Sequence, residues 1–140
     1  MRMQVVKRLL GVATVLSLSL SAVTVYAACG DIKDKIMAAR SSLVTLLKKS
    51  DKRGADQQKL VKDSADAVSD TLAKVKAPAG KEATLKELID TWNAFKKTRE
   101  DELVPMILAG KQGDAEKLAG GVQGERFEKM MALCEALDRK

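Results

Sequence analysis

The chain of 140 residues contains no histidine, and this absence excludes more chemistry than any other feature of its composition. A Ser-His-Asp triad, a His-ligated haem, an ordinary catalytic zinc site and a histidine general base all need an imidazole. Proline is nearly absent, with only Pro78 and Pro105, so long helices meet few obstacles. Aromatic residues make up 3% of the chain, namely Tyr26, Trp92, Phe95 and Phe127. No Gly-rich phosphate loop, no Cys-x-x-Cys-His haem attachment and no metal-ligand spacing occurs. No stretch alternates with period two, so strands are not expected. These gaps point away from an enzyme and from any bound cofactor. What remains is 46% hydrophobic and 31% charged, the balance of one globular domain with a single core.

The first segment reads as an export signal. Arg2, Lys7 and Arg8 precede an apolar stretch from Leu9 to about Val25. Val25-Tyr26-Ala27 then offers a small-x-small site, with cleavage expected between Ala27 and Ala28. The alternative, a retained anchor, requires a span longer than this one comfortably provides. Removing residues 1–27 leaves a domain of 113 residues, 28–140, and lowers the net charge from +6 to +3. The basicity is thus partly a property of the signal. A mild charge on an exported protein argues against nucleic-acid binding. The expected compartment is the periplasm, with no stable membrane span after cleavage.

Cys29 and Cys134 lie at opposite ends of the mature chain, and in an oxidising compartment they read as a disulfide. Lipidation of Cys29 is the rival reading, because Tyr26-Ala27-Ala28-Cys29 loosely resembles a lipobox. Tyr26 stands where such signals carry an aliphatic residue.

Four amphipathic helices follow from the spacing of apolar residues. Ile32, Ile36, Ala39, Leu43, Leu46 and Leu47 mark one face between Asp31 and Lys49, with Asp31 as the expected N-cap. Val61, Ala65, Val68, Leu72 and Val75 repeat at coiled-coil spacing between Asp56 and Lys76. A third helix starts near Lys81 and carries Leu85, Leu88, Ile89, Trp92, Phe95, Leu103 and Met106. Pro105 is expected to kink or break its last turn. The fourth runs from Asp114, its expected N-cap, to Asp138, with Ala115, Leu118, Ala119, Val122, Met130, Leu133 and Leu137 inward. Short connections make this an all-α protein, an antiparallel up-down-up-down four-helix bundle preceded by a signal peptide. That topology brings Cys29 and Cys134 to one end.

Two charges fall on apolar stripes: Arg99 between Phe95 and Leu103, and Arg126 between Val122 and Met130. Folding the third and fourth helices back around residues 111–112 places Arg99 opposite Gly124 and Arg126 opposite Lys97. An unpaired arginine is costly to bury, and a guanidinium pair fits a carboxylate or phosphate. In the competing reading each arginine snorkels to solvent or pairs with Glu100, Glu102 or Glu125. Trp92, Phe95 and Phe127 would wall such an anion site, or serve only as core. Gly120, Gly121 and Gly124 leave room inside the fourth helix for a ligand, a close crossing or a dimer face. Met37, Met106, Met130 and Met131 form no regular array and read as packing.

The stretch Leu88 to Leu137 resembles the C-terminal helical hairpin of the sensor domains of bacterial chemoreceptors. The pattern is Trp92-x-x-Phe95-Lys96-x-Thr98-Arg99-Glu100-x-Glu102-Leu103-x-Pro105, then Ala109-Gly110, Asp114-Ala115 and Gly121-Val122-Gln123-x-Glu125-Arg126. The resemblance implies a periplasmic bundle that senses small molecules, often dimerises and holds small carboxylates with arginines. The chain stops at Lys140 with no second span and no signalling hairpin. A soluble stand-alone relative is therefore expected rather than a receptor. The reading is a non-enzymatic protein that binds a small anion in a sensory role. Its alternative is an interaction module, an adaptor or chaperone-like homodimer docking through the glycine face.

Overall fold

The computed structural model describes residues 25–139, with side chains from Cys29 onward. Residues 1–24 of the expected signal lie outside the described residues. Helices account for almost all of the described chain, and no strand occurs among the described residues. No helix among them is long and apolar enough to cross a membrane.

The elements form four rods. The first is α1 (Val25–Lys48) and the second α2 (Ala55–Lys74), joined through a 3-10 turn, Ser50–Lys52. The third comprises α3 (Glu82–Thr98), a π-helical segment (Arg99–Leu103) and α4 (Val104–Leu108). The fourth comprises α5 (Gln112–Gly120) and α6 (Val122–Asp138). Rod α1 packs on α2 and on α6, α3 packs on α6, and α2 touches α3 far more sparsely.

The predicted N-caps are displaced. Asp31 lies inside α1, which extends back to Val25. Asp114 lies in the first turn of α5, whose N-cap is Lys111. There it still faces the positive end of the helix dipole, as an acidic residue should. After Pro78, Gly80 takes φ +80 in the turn that leads into α3. Gly110, at φ +75, closes α4. The Lys111 N–H donates to the Met106 carbonyl and the Gly110 N–H to the Ile107 carbonyl, the paired bonds of a Schellman motif.

The third rod shows why its apolar stripe stays in phase. Phe95, Arg99, Leu103 and Ile107 follow one another at intervals of four residues and are nearly or fully buried. A regular helix of 3.6 residues per turn drifts away from such a run. The π segment widens one turn and absorbs the excess, with the Val104 N–H donating to the Arg99 carbonyl five residues back. Pro105 follows in the first turn of α4, where its missing N–H costs little.

The fourth rod breaks at Gly121, at φ −86 and ψ −113, outside the helical basin. The break resets the helical phase. Val122, expected inside, is exposed, and Gln123 turns inward at 2% exposure instead.

The core divides into two apolar clusters. One gathers Ile32, Ile36, Ala39, Val68, Leu88, Trp92 and Met130 with their neighbours. The other gathers Leu43, Leu46, Leu47, Val61, Leu103, Ile107 and Ala115. Each rod passes from one cluster to the other, and buried Ser42, Arg99 and Gln123 lie where it does so. Ser42 Oγ lies 2.9 Å from Ser64 Oγ, and Ser64 Oγ donates to the Val61 carbonyl at 3.1 Å. These groups form a polar waist across the core.

Beyond the second cluster, Arg53 binds the rods together. It donates to the Leu46 carbonyl (3.0 Å), the Leu47 carbonyl (3.0 Å), the Ile107 carbonyl (3.2 Å) and Gln112 Oε1 (2.6 Å). The carbonyls at the end of α1, which lack helical donors, are thereby satisfied.

Candidate functional site

Arg99 is the most unusual side chain in the structure, because it is large, charged and 0% exposed. The π segment turns it toward α2. Its Nη2 donates to the Val61 carbonyl, while Nε and Nη1 are buried with no hydrogen-bond partner. The three N–H donors on Nε and Nη1 are therefore unmet. Burial pushes the Arg99 pKa down to about 10, and Glu100 and Asp66 counter that effect only in part. Buried donors are rarely left in this state, and each case calls for a physical explanation.

A cavity of about 360 Å³ opens beside Arg99, in the sparse contact between α2 and the third rod. Val61 and Val104 give it apolar wall, and Gln58 contributes an amide. Lys62, Asp66, Lys96 and Glu100 complete the lining. Asp66 pairs with Lys62 at 2.6 Å and with Lys96 at 3.3 Å, and Glu100 lies 3.8 Å from Lys96. The Asp66 pKa is lowered chiefly by its hydrogen bond to Lys62. These lysines and carboxylates cancel formally, so Arg99 carries the one uncompensated charge of the lining. Glu100, an expected partner of Arg99, is engaged by Lys96 instead.

Arg126 does not join this cavity. It bridges α6 to α3 through Nη1, donating to Thr98 Oγ1 (2.8 Å), Gln123 Oε1 (2.9 Å) and the Ala94 carbonyl (3.4 Å). Gln123 Nε2 in turn donates to the Phe95 carbonyl at 2.9 Å. The level predicted for Arg126, near Lys97, agrees with these contacts, but Arg99 points to α2 and away from them.

The aromatic residues also lie apart from the cavity lining. Trp92 and Phe95 are buried in the first cluster with ring centroids 5.7 Å apart, and Trp92 Nε1 donates to Ser69 Oγ. Phe127 is half-buried at the edge of that cluster, with the Arg40 guanidinium 4.4 Å above its ring. Of the five residues expected at an anion site, only Arg99 lines the cavity. Lys62, Asp66, Lys96 and Glu100 replace the aromatic wall. Their charges read as ordinary surface pairs, and only the folded register shows that they surround Arg99.

The glycines do not pack against a neighbouring rod. Gly120 has open space around it, and a Cβ on Gly121 would meet the Lys117 carbonyl at 2.9 Å. A Cβ on Gly124 would make an ordinary 3.5 Å contact with the Ala119 carbonyl. The break in the fourth rod falls at Gly121, with Gly120 ending α5 and Gly124 inside α6.

Cys29 and Cys134 meet, as expected, but as free thiols rather than a disulfide. Cys29 Sγ donates to the Cys134 carbonyl at 2.9 Å. The thiol therefore occupies a hydrogen bond where the sulfur–sulfur bond was predicted. Burial raises both thiol pKa values above the ordinary range. No cluster of histidine, cysteine and carboxylate ligands suited to a metal occurs among the described residues. No protein-family model, curated protein or solved structure matches the chain.

Proposed function

We propose that this chain is an exported, non-enzymatic protein that binds a small anion in a sensory role. Its four rods form an antiparallel up-down-up-down bundle, residues 1–27 are its signal peptide, and the periplasm is its compartment. The observation that carries the reading is Arg99, which is fully buried yet leaves Nε and Nη1 unmet beside a cavity. A fold organised only for stability gains nothing from that arrangement, since a buried unpaired charge is destabilising. An anion on the guanidinium would complete it. Export accounts for Cys29 and Cys134, whose juxtaposition allows a disulfide to form once the chain reaches an oxidising compartment.

Thermal melts of the mature chain against a panel of carboxylates and inorganic phosphate test the binding. At least one anion should raise the midpoint of the wild type and fail to do so for Arg99→Met. A flat response across the panel would sink the ligand reading. Mass spectrometry of chain expressed with residues 1–27 in a Gram-negative host tests the export reading. It should find an N-terminus at Ala28 and a non-reducing mass lower by two hydrogens.

A further inference from the structure

We infer that the cavity between α2 and the third rod takes a small monocarboxylate with a short apolar body, and that it discriminates against dianions. This rests on the anion-binding reading above. The cavity's own charges supply the selectivity. Lys62 and Lys96 are balanced by Asp66 and Glu100, so one negative charge neutralises Arg99 and a second has no partner. A second charge would leave the occupied site net negative, with Lys62 and Lys96 already paired to Asp66 and Glu100, and an excess of like charge is costly in a partly buried site.

The shape agrees with the charge. A carboxylate oxygen can accept from the unmet Nη1 on one edge of the guanidinium, or from the unmet Nε on the other. Val61 and Val104 then offer apolar wall to whatever the carboxylate carries. The volume of about 360 Å³ sits at the lower end of small-molecule sites, which suits a short chain.

Access requires one movement. The free nitrogens of Arg99 are shielded from solvent, so a ligand reaches them only when a rim side chain swings aside. Lys62 is suited to this, being 71% exposed and held by a surface pair to Asp66. Such a pair is weak enough to open readily.

Isothermal titration of the mature chain with pentanoate, acetate, succinate and inorganic phosphate at neutral pH tests the inference. Pentanoate should bind, with succinate and phosphate weaker by about tenfold or more. Arg99→Met, checked for folding by circular dichroism, should abolish pentanoate binding. Val104→Thr, which keeps the volume but adds a hydroxyl, should weaken pentanoate severalfold and acetate little. Succinate or phosphate binding as tightly as pentanoate through Arg99 would overturn the ligand class and leave the anion site standing. Pentanoate binding unchanged in Arg99→Met would overturn the site, and no binding of any anion would overturn both.

Discussion

Replacing Arg99 with methionine should stabilise the unliganded protein, although it removes a fully buried side chain. The substitution loses the bond from Nη2 to the Val61 carbonyl. A hydrogen bond from a charged donor contributes about 1.5–3 kcal/mol. The Val61 carbonyl is not orphaned, because Ser64 Oγ still donates to it at 3.1 Å. Against that loss stand Nε and Nη1, buried and unmet. Each such group costs about 1–3 kcal/mol. Burial lowers the Arg99 pKa to about 10, which corresponds independently to about 3 kcal/mol against the charged form. Methionine is flexible enough to refill much of the space of the arginine stem. The net gain is about 1–2 kcal/mol, a rise in melting midpoint of about 5–10 °C for a domain of this size. Thermal melts and urea unfolding at neutral pH, without added anions, measure it. An unchanged urea slope would show that both forms unfold from comparable states. A loss of more than about 1 kcal/mol would refute the argument, since Arg99 would then be a structural tie whose donors are satisfied in solution. A gain in stability coupled to lost binding is the signature of a site held against the fold's own preference.

Arg53→Ala should lower stability by about 1–3 kcal/mol in urea unfolding, because it leaves the Leu46 carbonyl without a donor, while the Leu47 carbonyl keeps Gln112 Nε2 and the Ile107 carbonyl keeps the Gly110 N–H. Gly121→Ala should cost about 1–3 kcal/mol by the same measurement, since its Cβ would meet the Lys117 backbone carbonyl at 2.9 Å and force a shift. In the reduced protein, burial raises both thiol pKa values, so the folded chain holds these protons more tightly than the unfolded one. That contribution is complete below the ordinary thiol pKa of about 8.5 and is lost as pH rises above it. Urea midpoints taken from about pH 8 to pH 10 should fall for the reduced wild type, and less steeply for a Cys29→Ala, Cys134→Ala double variant.

Much of the helical architecture is legible in the order of residues, because one-sided burial imposes its period directly on the chain. Ile32, Ile36, Ala39, Leu43, Leu46 and Leu47 are all buried, as their spacing predicts. The second seam holds from Val61 to Leu72 and ends before Val75, where α2 stops at Lys74. Periodicity fails where the helix itself changes. The run of four-residue intervals from Phe95 to Ile107 is the sequence trace of the π segment, yet it reads equally well as drift. Past Gly121 the phase resets, and Val122 and Gln123 exchange roles. Arg99 stands out as a charge on an apolar stripe, but its direction does not. A helical stripe identifies a face and leaves open which neighbour that face meets. Arg53 leaves almost no signal, since its partners are backbone carbonyls brought together by the fold.

The polar waist carries a consequence for cooperativity. Apolar side chains that interlock without a gap tend to unfold together. Here the layer through Ser42, Ser64, Arg99 and Gln123 separates the interlocking on its two sides. One half closes at the cysteine end and the other around Arg53. Each half thus forms its own unit of stability, and amide exchange should divide at the waist into two populations with different opening free energies. An anion held by Arg99 would touch the boundary itself, joining the two units into one and converting occupancy of a small cavity into rigidity along the full length of the protein.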